Sequence, residues 1–104
     1  MSIKGVVREE LANSLRMQKR YEAELAKLRK GSLVKRRIKG NVYYYLVYRE
    51  NGKVRSEYRG KSSPDEIAAY KAAKSQRAKY RQLLSKVKKQ IRFLRGALRG
   101  KEPV

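Results

Sequence analysis

SLVKRRIKGNVYYYLVYRENGKVRSEYRGK, residues Ser32 to Lys61, is the segment whose reading decides the fold. It is rich in valine and tyrosine, residues that suit a pleated, half-buried surface, and it is broken at two places by turn formers. Asn51-Gly52 is a strong two-residue hairpin signal, because both central positions of a type I′ turn need positive φ. Gly40-Asn41 is a second, weaker turn, so the segment reads as a three-stranded antiparallel meander over residues 32–60. With both loops at two residues, Tyr45 pairs with Tyr58 and Val47 with Ser56 on one side. On the other, Tyr45 pairs with Arg36 and Val47 with Val34.

That register sorts the side chains onto two faces. Val34, Ile38, Tyr43, Tyr45, Val47, Val54 and Tyr58 collect on one, with Arg36 and Arg49 among them, and this face is expected to be core. Lys35, Arg37, Lys39, Tyr44, Leu46, Tyr48, Lys53, Arg55 and Arg59 collect on the other, with Glu57, and this face is expected to be exposed.

On either side of the meander the period changes from two to 3.6. From about residue 6 to residue 30 the chain has no proline or glycine, and Val7, Leu11, Tyr21, Leu25 and Leu28 share one heptad frame. Ser14 and Gln18 also occupy seam positions there, and Leu15 sits one place off, which predicts a helix with a loose middle. Gly31 stands where a left-handed helix cap would end it. After the meander, Ser63-Pro64-Asp65-Glu66 offers a capping serine, proline at the first helical position and glutamate three residues after the cap. A helix over residues 64–98 follows, in which Tyr80, Leu84, Val87, Ile91, Leu94 and Leu98 repeat at 4-3-4-3-4 spacing, a seam for a partner helix. The first helix is the natural partner in an antiparallel, coiled-coil-like hairpin. Ile67, Tyr70 and Ala73, in the opening turns, offer contacts to the sheet. The expectation is a single α+β domain over residues 1–104, with residues 99–104 a flexible tail.

Composition narrows the function. The chain of 104 residues carries 29 Lys+Arg against 9 Asp+Glu, a net charge of +20. A compact state so charged repels itself, and a polyanionic partner relieves the repulsion. There is no cysteine and no histidine. Disulfides, thiol chemistry, almost all transition-metal sites and the usual general base are thereby removed. An enzyme, a cofactor and a small-molecule substrate are not expected. No apolar run approaches the length of a membrane span, and a cytoplasmic or nucleoid-associated location is expected.

The cations are unevenly placed. Between Glu66 and Glu102 there is no acid, yet Lys71, Lys74, Arg77, Lys79, Arg81, Lys86, Lys88, Lys89, Arg92, Arg95, Arg99 and Lys101 occur. A helix face that is merely solvated interleaves glutamates, as the first helix does with Glu9, Glu10, Glu22 and Glu24. One-sided charge over this length points to phosphate contact. The apolar seam is too narrow for a membrane-surface helix. The expected nucleic-acid-binding set is therefore Lys35, Arg37, Lys39, Tyr44, Tyr48, Lys53, Arg55 and Arg59 of the sheet with Lys71, Lys74, Arg77, Arg81, Lys88 and Arg92 of the second helix. For Tyr44 and Tyr48, stacking on bases competes with packing against Arg55 and Arg59. Gly60-Lys61-Ser62-Ser63 lacks the earlier glycine of a nucleotide loop, and Asp65 and Glu66 read as partners of the helix dipole.

Residues 31–61 resemble the central segment of a group of small, uncharacterised bacterial, archaeal and phage proteins with a G-S-L-V-x-R, YYYL-x-Y-R and G-K-x-x-S-x-Y-x-G-K pattern. The meander followed by a helix also looks like the arm-type DNA-binding domain of tyrosine recombinases, over Gly31 to about Lys74. That second likeness implies a sheet entering the major groove with Lys35, Arg37, Tyr44, Tyr48, Arg55 and Arg59 toward the DNA. In those enzymes the arm-type domain is joined to a catalytic domain and has no long N-terminal helix, whereas a long helix is expected before the meander here.

The expected partner is nucleic acid, DNA ahead of RNA. Two other readings stand beside it: a phage or mobile-element protein-interaction module, and an RNA- or ribosome-associated protein. The helical seam also fits a homodimer in which paired chains bury Leu84, Val87 and Ile91.

Overall fold

The structure, a computed structural model, describes residues 2–100. Its elements run α1 (Ile3–Lys27), β1 (Ser32–Ile38), β2 (Asn41–Glu50), β3 (Lys53–Gly60) and α2 (Pro64–Arg99). The fold is α+β, two helices flanking an antiparallel sheet of order β1-β2-β3. The chain divides into two compact units: residues 28–78, and α1 together with α2 from Lys79 onward.

The helix ends follow their caps. Ser63 Oγ accepts the Glu66 N–H at 3.1 Å and the Ser63 carbonyl accepts that of Ile67 at 3.0 Å, which starts α2 at Pro64 as its sequence requires. α1 begins three residues earlier than expected because Ser2 caps it, its Oγ accepting the Gly5 N–H at 3.0 Å. It also ends earlier, at Lys27, so Gly31 is not its cap. Gly31 instead takes φ +93° where the chain passes over β2, and a Cβ there would lie 2.8 Å from the Val47 carbonyl oxygen. At the other end of α2, Arg99 is helical. The rest of the expected tail, residues 101–104, lies outside the described residues.

In the unit of α1 and the distal part of α2, Val87, Ile91 and Leu94 are buried, and Tyr80, Leu84 and Leu98 are half-buried. Tyr21 and Tyr80 meet ring to ring at 6.1 Å. Gln18 lies beside Lys88 and Ile91, so falling numbers on α1 meet rising numbers on α2 and the two run antiparallel. Both heptad frames hold. Ser14 overturns the loose middle: it is only 2% exposed. A small side chain at a seam position leaves room for two helix backbones to approach, so a serine is compatible with burial there.

In the sheet the second hairpin turns at Asn51-Gly52 with φ +52° and +77°, as its residues require. The first hairpin turns one residue earlier than expected, at Lys39-Gly40 with φ +50° and +80°, and pairs Ile38 with Asn41. Tyr45 therefore faces Val34, Val47 faces Ser32, and Arg36 faces Tyr43. The slip is an even number of residues, so no side chain of β1 changes face.

What changes is which face is covered. Leu46 is 6% exposed, the one buried residue of the sheet among the described residues, and it lies on the face expected to be open. On the face expected to be core, Val54 is 65%, Tyr58 59% and Ile38 46% exposed. Leu33 and Tyr44, on the Leu46 side, line one cleft with Ile67, Tyr70, Lys71 and Lys74 of α2, and Ala73 is buried. The reason is width. A helix about 10 Å across covers about two strands spaced about 4.8 Å apart. Tyr44 of the central strand thus lines a cleft with the opening turns of α2, Leu46 is buried on the same face, and the cations of the outer strands stay in water there.

Candidate functional site

Three groups of side chains carry the charge and aromatic character. The first is the set of outer-strand cations on the Leu46 face of the sheet. Lys35 and Arg37 of β1, Lys53 and Arg55 of β3, and Lys39 of the first turn are exposed. Arg55 Nε lies 3.8 Å from a Glu50 carboxylate oxygen with both side chains half exposed, a pairing worth well under about 1 kcal/mol in water. Arg59 is exposed too, but a bulge pairs Tyr44 with Gly60 and leaves Arg59 without a cross-strand partner. Tyr44 and Tyr48, expected to face outward among these cations, are half-buried instead. Tyr44 lines the cleft with Ile67 and Tyr70.

The second group lies on α2. Lys71, Lys74, Arg81, Lys88 and Arg92 are exposed as expected. Arg77 is not. It is buried, its Nη2 donates to the Gly31 carbonyl at 2.9 Å, and its Nη1 donates to the Arg29 carbonyl. Its two forks satisfy carbonyls where the chain leaves α1, so Arg77 is a structural residue and leaves the candidate set. The sequence held a signal for it: Ala73, Arg77, Tyr80, Leu84 and Val87 are spaced 4-3-4-3, which puts Arg77 in phase with the apolar seam. Farther along, Lys88, Arg92, Arg95 and Arg99 line a single hollow with Gln18 and Ile91. Their spacing of 4-3-4 holds them on one helix face, and no carboxylate lines the hollow.

The third group is the open sheet face, which sequence reasoning assigned to the core. Tyr58 lies 5.4 Å from Tyr45 and 6.2 Å from Tyr43, ring centre to ring centre, at interplanar angles of 60° and 43°. Arg36 Cζ stands 5.9 Å from the Tyr45 ring centre. Val34, Arg36, Tyr45, Val47 and Ser56 enclose a shallow hollow beside this cluster. Alternation along the strands did gather this group; the missed signal for its exposure is that the acids of the sheet, Glu50 and Glu57, fall on the opposite face.

Among the described residues no three His, Cys, Asp or Glu side chains gather to hold a metal ion. No described helix is long and apolar enough to cross a membrane.

The model of a family described as "Domain of unknown function (DUF6788)" matches residues 8–69, more than half of the chain. The matched stretch takes in most of α1, all of the sheet and the first turns of α2. No curated protein and no solved structure matches the chain.

Proposed function

We propose a function for a chain that belongs to the DUF6788 family: it is a non-enzymatic protein that binds nucleic acid, DNA ahead of RNA, by holding the phosphate backbone with exposed lysines and arginines. The observation that carries this reading is the acid-free row Lys88, Arg92, Arg95 and Arg99 around one hollow of α2. At about 1.5 Å per residue the row is roughly 16 Å long, enough to follow several phosphates of a strand. Each phosphate neutralised releases counterions, which is the main source of sequence-independent affinity. Arg37 and Arg55, exposed on the outer strands, add donors of the geometry that reads guanine edges, and this favours DNA. The absence of histidine and cysteine supports a binding role over catalysis.

The experiment is fluorescence anisotropy with duplex DNA, single-stranded DNA and structured RNA, comparing the natural chain with a variant carrying Lys88→Ala, Arg92→Ala, Arg95→Ala and Arg99→Ala. Binding to at least one polymer, weakened tenfold or more in the variant with a shallower salt dependence, is the expected result. No binding to any of the three at low salt overturns the proposal, and a stoichiometric acidic protein on purification would then favour a protein-interaction role. Protection of structured RNA alone would select the RNA-associated reading.

A further inference from the structure

We infer that the open face of the sheet is a stacking platform for the unpaired bases of a single-stranded nucleic acid, with Tyr45 and Tyr58 as the stacking rings and Arg36 and Arg49 as flanking cations. This rests on the nucleic-acid reading above and adds to it a surface and a strand state. Four observations converge. Tyr58, Val54 and Ile38 are left open to water on one side of a three-stranded sheet, and an apolar surface of that kind marks an interaction site. The rings of Tyr43, Tyr45 and Tyr58 are tilted toward one another at 43° and 60°. None is stacked flat on another; the edge contact and Arg36 over Tyr45 occupy part of the ring surface, while Tyr58, 59% exposed, keeps most of its ring open to a base. Arg36 beside Tyr45 and exposed Arg49 at the end of the same row bring positive charge to the face. The carboxylates of the sheet, Glu50 and Glu57, both project from the opposite side.

Those properties choose among occupants. A duplex keeps its bases stacked inside and would set phosphates against Val54 and Ile38, so the rings would gain nothing from it. A second copy would bring Arg36 and Arg49 against their equivalents, between chains that each carry +20. A single strand supplies both complements at once, flat apolar bases for the tyrosines and phosphates for the arginines. The sheet, three strands about 4.8 Å apart, is wide enough for two or three bases.

The test uses fluorescein-labelled oligo(dT), oligo(U) and a duplex of equal length, with the two single strands separating a DNA from an RNA source. The double variant Tyr45→Ala, Tyr58→Ala removes both stacking rings and should lose single-strand affinity by about thirtyfold or more. Duplex affinity should stay within about twofold. Tyr45→Phe with Tyr58→Phe should retain single-strand binding, because stacking needs the ring and not the hydroxyl. Val54→Glu provides a second variant at a side chain that packs against little, and its carboxylate should weaken single strands selectively even if the alanine pair unfolds. Equal losses for duplex and single strand, or no loss in either variant, overturn the inference and leave phosphate binding standing. So does a dimer in light scattering that Val54→Glu dissolves without changing single-strand affinity. Failure of the natural chain to bind any of the three probes removes both proposals together.

Discussion

Arg77 reaches the carbonyl of Gly31 at 2.9 Å, and this bond from α2 holds the chain where it leaves α1 and enters β1. The same guanidinium serves the Arg29 carbonyl. A buried, charge-assisted pair of bonds of this kind contributes about 1.5–3 kcal/mol each, and removing the donor leaves two carbonyls without it. Arg77→Ala should therefore lower stability by about 3–6 kcal/mol, read as a fall in the urea midpoint. Arg77→Lys should recover only part of it, because an ammonium cannot fork to two carbonyls. A variant as stable as the natural chain would show that Arg77 is an ordinary surface cation.

Gly31 and Gly52 both have positive φ, but their surroundings differ. An added Cβ at Gly52 meets nothing within 4 Å, whereas at Gly31 it meets the Val47 carbonyl oxygen at 2.8 Å and Leu46 Cδ1 at 3.0 Å. Gly52→Ala should cost the backbone penalty alone, about 1–2 kcal/mol. Gly31→Ala should cost that and more, since β2 backbone and the one buried leucine of the sheet must move. Thermal melts of the two variants compare them directly, and equal costs would contradict the close approach of Gly31 to β2.

Ser14 sits 2% exposed on α1. Ser14→Leu should overpack this level and cost about 1–3 kcal/mol, although leucine is the better heptad residue by composition. Ile91→Ala should cost about 2–4 kcal/mol through the cavity left in the same unit. Both losses should be independent of protein concentration if the burial of Val87, Ile91 and Leu94 within one chain is what the seam contributes. A melting temperature that rises with concentration would instead point to a seam completed by a second copy.

The elements announced themselves wherever the signal was local. Ser63 with Pro64 and Glu66 marked the start of α2, Asn51-Gly52 marked the second hairpin, and the 4-3 spacing from Tyr80 to Leu98 marked the seam. Ser2 used the same capping chemistry but stood too near the chain start to be read against a preceding segment. The first turn misled because Gly40 occupies its second position, with Lys39 accepting the positive φ of the first. The faces of the sheet were harder for a different reason. Alternation sorted them correctly, but both carry tyrosine, apolar residues and cations, and the residues of the strands do not say where α2 lies. Counting charge over all three strands pointed to the wrong side, because only the central strand and one neighbour are covered. The consequence for function is an exchange of tyrosines: Tyr44 and Tyr48 are half-buried on the covered face, while Tyr43, Tyr45 and Tyr58 form the cluster on the open one.

The most direct test of the central claim is the salt dependence of nucleic-acid affinity for the natural chain, measured by anisotropy between about 50 and 200 mM monovalent salt. Phosphate contact by the exposed cations predicts a linear fall of log K with log salt, with a slope near −3 or steeper if four or more phosphates are held at about 0.7–0.9 each. Undetectable binding at the lowest salt, or an affinity that salt does not change, would contradict it.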